Sequence, residues 1–219
     1  MMDYHEYMAN KRVVLVGPAE YLSRSSKGVA LDSYDAVVRI NNGYIIPREL
    51  EPHVGTRTDV VYHSLERFGE YDMNELVNRK VSFLCSSMPN DQTFVYQHMR
   101  PGWRDRVFSK FRTLNKGRVK FRVPPGEAFD AAARSMGCCP FSGISAVIDL
   151  LQSGLKLLRV VGFTFYADAA WTYNETADFK YAEAQPFHKP ELQQKFLMEL
   201  VDSEPRLRVD AHMQELLWR

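Results

Sequence analysis

Short β-branched runs recur along this chain, and each stops at a turn-forming group, which restricts the chain to folds built around a buried sheet. Arg12 to Val16 (RVVLV) ends at Gly17-Pro18, and Asp35 to Ile40 (DAVVRI) ends at Asn41-Asn42-Gly43. Both are short and apolar, so they read as buried strands feeding loops rather than as helices. Asp59 to His63, Val81 to Ser86, Val119 to Val123 and Leu157 to Gly162 are further strand candidates. Apolar residues at three-to-four spacing predict helices over Tyr71–Arg79, Gln92–Met99, Glu127–Met136, Gly143–Leu151 and Glu191–Val201, and Pro190 suits a first helical turn. Tyr21 to Leu31 supplies one helical crossover between the first two strands, weakened by Gly28. This alternation predicts an α/β fold, a single Rossmann-like domain over residues 1–219 with a mainly parallel sheet flanked by helices. Such sheets bind ligands at the carboxyl ends of their strands.

Composition narrows the function classes. At 219 residues there is room for one sizeable domain. The 28 basic and 27 acidic side chains leave a net charge of +1, too little to draw the protein onto nucleic acid or an anionic membrane. The three cysteines, Cys85, Cys138 and Cys139, are odd in number and include an adjacent pair, which argues against a secreted disulfide framework and for a reducing compartment. The leading MMDYHEYMANKR fits neither a secretory signal nor a transit peptide. The longest uncharged stretch, Ser135 to Ile148, is interrupted by Pro140 and two glycines and falls short of the ~20 apolar residues of a spanning helix. The expectation is a soluble, cytoplasmic protein without a membrane anchor.

Several residues could carry chemistry. The first strand and its turn lack G-x-G-x-x-G and G-x-x-x-x-G-K-[ST], which disfavours a dinucleotide fingerprint and a P-loop. Asn41 and Asn42 follow a buried strand, where amides can donate to phosphate and pair with a base, although Asn-Asn-Gly is also a good turn. Arg57 reads as a ligand arm or as a structural brace beside Asp59. Ser142, near the N-cap of an apolar helix, offers a hydroxyl at the positive end of a helix dipole, or simply caps it. His188 stands where a long loop re-enters a helix and can take a proton near neutral pH, and His63, at a strand end, is the next candidate. Phe163 to Phe187 is far longer than a normal strand-to-helix connection and rich in aromatics, as an active-site flap would be. The aromatic and basic run from Trp103 to Arg112 reads as solvated surface, with acceptor-site shaping as the alternative. No zinc spacing and no D-x-D occur, so a metal site is not expected.

In order, these pieces resemble the sialyltransferases of glycosyltransferase family 29, particularly short microbial or viral members, a viral source implying the host cytoplasm. VVLVGPAEYLSRSSKGVALDSYDAVVRINNG followed by VGTRTD is similar to the large sialyl motif, with its V-G turn, D-x-V-x-R-x-N strand and G-[ST]-R-T segment. PFSGISAVIDLLQSGLKLLRVVGFTFY resembles the small motif, with its P-x-[ST]-G helix entry and V-x-G-[FY] strand end. TYNE stands at the third motif and FHKPELQQKF at the last, while Glu66 to Ala133 shows no match. Glu191 follows His188 more closely than the family's H-x-x-x-x-E allows, Pro18 replaces the asparagine common in animal members, and the first motif lacks the cysteine that pairs with the second.

The resemblance implies a variant GT-A type fold and an inverting, metal-independent glycosyltransferase that moves sialic acid from CMP-sialic acid to an acceptor glycan hydroxyl. No cofactor is implied, the CMP-sugar being a substrate. His188 would be the base. Gly17, Pro18, Asn41, Asn42, Ser142, Gly143, Phe163, Thr164 and Tyr173 would line the donor site, with Tyr173 on the phosphate. A CMP-linked ulosonic acid already carries a good leaving group, so stabilising one phosphate and removing one proton suffices. The alternatives are a CMP-Kdo transferase, a catalytically idle nucleotide-sugar or glycan-binding module, and, more remotely, an unrelated Rossmann-like enzyme such as a methyltransferase.

Overall fold

The computed structural model describes residues 3–65, 72–89, 103–165 and 188–219, the side chains of 103–106 excepted. Helix α1 (Tyr4–Met8) precedes strand β1 (Arg12–Val16), then come α2 (Gly28–Asp32), β2 (Ala36–Ile40), α3 (Glu51–Val54) and β3 (Val60–His63). Helix α4 (Met73–Asn78), β4 (Phe83–Ser86), α5 (Trp103–Asn115), β5 (Phe121–Arg122), α6 (Glu127–Met136) and α7 (Ser142–Leu151) follow. The chain closes with β6 (Leu157–Val161), α8 (Pro190–Ser203), β7 (Leu207–Val209) and α9 (Ala211–Leu217). Among the described residues the strands form one parallel sheet in the order β5-β4-β3-β2-β1-β6-β7. The chain runs outward from β1 to β5 and then returns to the other flank of β1, so the order reverses between β1 and β6.

Every residue of β2, β3 and β4 is buried, as strands covered on both faces require. Val13, Leu15 and Val38 pack with Ile144, Val147 and Leu150 of α7. Val14, Val16 and Val37 pack with Leu22, Leu31 and Val54. Val61 and Leu84 pack with Phe108 and Phe111 of α5. The run from Trp103 is therefore a helix that sends aromatics into the core, rather than solvated surface. Its apolar residues lie among so many basic ones that the periodicity is masked.

Other departures from expectation have similar causes. Tyr21 to Leu31 is a 3₁₀ segment at Glu20–Arg24 and the short α2, broken at Ser26, whose left-handed backbone (φ 51°) cannot continue a helix, and Gly28 then packs where a side chain would meet the Glu51 carbonyl. Helices α1, α5 and α9 and strand β7 went unforeseen, since the flanking pieces are three to seven residues long, below the length at which periodicity speaks. The helix expected over Gln92–Met99 lies outside the described residues. Among the described residues, no helix is long and apolar enough to cross a membrane.

Two polar clusters fix the sheet. Arg39, fully buried on β2, donates through Nε to the Arg57 carbonyl at 3.0 Å and to Thr58 Oγ1 at 3.1 Å, and through a terminal nitrogen to the Val54 carbonyl at 2.7 Å. Arg57 donates to the Asp32 and Tyr34 carbonyls and pairs with Asp59 at 2.8 Å, which makes it a brace rather than a ligand arm. On the other side, Arg122 of β5 pairs with Asp149 of α7 through two hydrogen bonds, of 2.5 and 2.9 Å. Asp149 also accepts from Tyr62 of β3, whose hydroxyl lies 2.5 Å from that of Tyr4.

Candidate active site

The order of the strands reverses between β1 and β6, and the carboxyl ends of the strands at such a reversal are where open parallel sheets hold their ligands. Gly17 leaves β1 there and Gly162 leaves β6, and the two backbones stay in register: the Gly17 N–H donates to the Val161 carbonyl at 2.8 Å, and the Ala19 N–H to the Gly162 carbonyl at 3.1 Å. A Cβ on Gly17 would collide with the Gly162 carbonyl group and lie 2.9 Å from the Phe163 ring. A Cβ on Gly143, in the first turn of α7, would strike the same ring. Phe163 is thus wedged between β1's exit and the start of α7, and the two glycines make room for it. Thr164 is buried beside it, and Pro18 lies half-buried on the rim.

Next along the edge, β2 ends in a 3₁₀ turn over Asn41–Tyr44. Asn41 takes a left-handed backbone (φ 45°), and its Oδ1 accepts the Ser64 N–H at 3.0 Å. His63 Nδ1 accepts the Leu65 N–H at 2.9 Å, so the ring's proton is on Nε2, which faces Asn42 Oδ1 at 3.3 Å. Burial pushes the His63 imidazole down to about 4. A neutral ring with its lone pair already used cannot receive an acceptor's proton, so His63 orients Asn42 and is removed as a candidate base.

The chain of contacts continues into α7. The Ser87 N–H donates to the His63 carbonyl at 2.9 Å, and Ser87 Oγ lies 3.2 Å from Ser142 Oγ. Phe141 is the N-cap and Ser142 the first helical residue, so the Ser142 hydroxyl pairs across to Ser87, just past β4, and does not cap its own helix.

His188 stands on the far side of the α7 entry. Its Nδ1 lies 2.9 Å from the Cys139 carbonyl, and its ring packs on Phe141 with centroids 4.7 Å apart. A carbonyl only accepts, so Nδ1 carries the proton and the neutral ring has its lone pair on Nε2. Gln193 on α8 reaches the same loop: its Oε1 accepts the Phe141 N–H at 2.6 Å, and its Nε2 donates to the Cys139 carbonyl at 3.2 Å. Glu191 is exposed, and Gln193, not Glu191, occupies the fifth place after His188 that the family pattern gives to glutamate.

The predicted residues Gly17, Pro18, Asn41, Asn42, Ser142, Gly143, Phe163, Thr164 and His188 therefore gather along one edge of the sheet. Tyr173 and residues 166–187 of the aromatic loop lie outside the described residues. Sequence reasoning missed Gln193, Ser87 and Tyr21. Gln193 had a readable signal in its spacing from His188. Tyr21 had none: its hydroxyl accepts the Gly162 N–H at 2.7 Å and donates to Asp210 at 2.8 Å, contacts 141 and 189 residues away in sequence. Burial and the Asp210 charge hold the Tyr21 phenol well above its ordinary value, so it stays a donor. Among the described residues, no three His, Cys, Asp or Glu side chains cluster as a metal site would require.

Comparisons with known proteins bear on the fold and on the family. A chain of a mammalian sialyltransferase crystallised with Gal-beta-1-3GalNAc-ortho-nitrophenol superposes with a TM-score of 0.59 at 19% identity, covering 94% of this chain and 71% of that one. A Campylobacter jejuni sialyltransferase solved with cytidine-5'-monophosphate gives 0.54 at 15% identity, covering 92% and 80%. In sequence, the mouse type 2 lactosamine alpha-2,3-sialyltransferase is 40% identical over 58 residues, which are 26% of this chain and only 17% of the mouse protein. The model of glycosyltransferase family 29 (sialyltransferase) matches residues 5–123, running through much of the middle in which no motif is readable and ending before α6. That match takes in more than half of the chain, which belongs to glycosyltransferase family 29, the sialyltransferase family.

Proposed function

We propose that this chain transfers sialic acid from CMP-sialic acid to a hydroxyl of an acceptor glycan, with inversion, without a metal ion, and with His188 as general base. The observation that carries the reading is the His188 ring itself, held by the Cys139 carbonyl so that Nε2 has the lone pair, at the entry of the helix that begins with Ser142. Family membership supplies the reaction class.

The donor's cytidine phosphate lies along the β1–β6 crevice, against Gly17, Pro18, Asn41, Asn42, Ser142, Gly143, Phe163 and Thr164, with Tyr173 reaching the phosphate. The acceptor oxygen forms its bond to the anomeric carbon as the bond from that carbon to the phosphate oxygen breaks. The electron pair leaves with CMP, and the acceptor's proton passes to His188 Nε2. Attack from the face opposite the departing CMP inverts the centre. The positive end of the α7 dipole and the Ser142 hydroxyl stabilise the charge that grows on the phosphate.

The test is His188→Ala. Transfer should fall by roughly 10²- to 10⁴-fold, the usual worth of a general base, while calorimetric CMP binding stays near wild type. EDTA should change neither. A fully active His188→Ala variant removes the base, and loss of activity in EDTA removes the metal-free mechanism. Running CMP-sialic acid beside CMP-Kdo decides the donor.

A further inference from the structure

We infer that Gln193 is the positioning residue of the base. It pins the Cys139 carbonyl that takes the His188 Nδ1 proton, and so keeps the ring's lone pair on Nε2. The inference rests on the reading of His188 as the base.

A glutamine side chain with no solvent exposure is costly unless both ends of its amide are satisfied. Here both are, and by groups that leave no doubt about which end is which: Oε1 meets a backbone N–H, and Nε2 meets a backbone carbonyl. The amide bridges Cys139 and Phe141, the two residues that bracket Pro140 at the entrance to α7. The Cys139 carbonyl then receives two donors, the Gln193 amide and the His188 ring. Phe141, whose N–H Gln193 holds at 2.6 Å, carries the ring on which the imidazole packs. One amide therefore fixes both the acceptor that sets the tautomer and the surface that sets the ring plane.

The spacing explains how the two side chains meet. Lys189 is the N-cap of α8, which makes His188 the residue before the cap and Gln193 the fourth helical residue. Side chains at those two places converge across a helix start, the arrangement that apolar residues use as a staple. Here the pair is polar, with a carbonyl from another segment between its members. A residue five places after the histidine is thus the natural one to hold whatever the histidine leans on.

The test reads the ring directly. In protein labelled with ¹⁵N-histidine, the His188 signals, assigned by their loss in His188→Ala, should report a neutral ring protonated on Nδ1. Gln193→Leu keeps much of the volume but neither donates nor accepts. It should lower kcat by roughly 10- to 100-fold, as misplacing a catalytic group does, leave the donor KM close to wild type, and spread the ring over both tautomers. Gln193→Glu still accepts from Phe141 but turns a carboxylate oxygen toward the Cys139 carbonyl where an N–H is needed, so it too should lower kcat and spread the tautomers. A wild-type ring protonated on Nε2 overturns the proposal, and that measurement needs no variant to fold. So does Gln193→Leu with unaltered kcat and tautomer, or a Gln193→Glu variant as active as wild type. If the wild type transfers no sugar but keeps its Nδ1 proton, and Gln193→Leu loses it, the proposed activity falls while the placement of Gln193 stands.

Discussion

His63 and His188 are both anchored through Nδ1, with opposite results. The Leu65 N–H gives His63 a proton to accept, so Nε2 must carry the ring's own; the Cys139 carbonyl takes one from His188, so Nε2 has the lone pair. Both histidines are visible in the sequence at the edge of the sheet, but what separates them is a backbone group from another segment, which the sequence does not mark. His63 also has a measurable signature. Its folded-state value, pushed by burial from 6.5 to about 4, means that below pH 6.5 the unfolded chain binds a proton that the folded chain refuses. Stability from this group is fully present above 6.5 and is lost as pH falls toward 4. The full effect is on the order of 3 kcal/mol. Urea denaturation at pH 4.5 and 7.5 should show the loss in wild type and a smaller one in His63→Gln. Equal losses would mean that His63 is not the group responsible.

Elements meet at the site through backbone contact, and there glycine decides. Gly17→Ala drives a methyl into the Gly162 carbonyl, part of a strand exit pinned on both sides, whereas Gly143→Ala meets first the Phe163 ring, a side chain rather than backbone. Overpacking costs about 1–3 kcal/mol. Gly17→Ala belongs at the upper end and should also abolish CMP binding. Gly143→Ala should lose less stability, while the displaced ring still weakens CMP binding, as calorimetry would record. A Gly17→Ala protein with wild-type stability would show that the β1 and β6 exits are not locked together. The turn at Gly17 was legible because β-branched strands announce their ends. The contact with Gly162 was not, because parallel neighbours leave no trace of their register in local sequence. Helix α6 over Glu127–Met136 was read to the residue, since its ten positions show a full period and it ends at a glycine. Strand β7, three residues long, was missed because its burial comes only from its neighbours.

Across the whole molecule, the Arg122–Asp149 pair ties the outermost strand to α7, the helix whose first turn faces the site. The two side chains are 13% and 6% exposed, so removing one charge strands the other in the interior. Asp149→Asn should cost about 3–5 kcal/mol by chemical denaturation; an unchanged midpoint would show that the pair contributes nothing net. The order of the sheet has a further consequence during synthesis. A nascent chain that has emerged as far as Arg122 holds β1 to β5 and nearly all of the segment matched by the family model, yet one flank of β1 remains an unsatisfied row of amides and carbonyls until residues 157–161 arrive. An open, flat, apolar strand edge is a template for wrong partners. The interval between the two halves leaving the ribosome is therefore when the β1 edge is most exposed to wrong partners, and the late pairing of β6 with β1 covers that edge and brings Gly162 and Phe163 against Gly17.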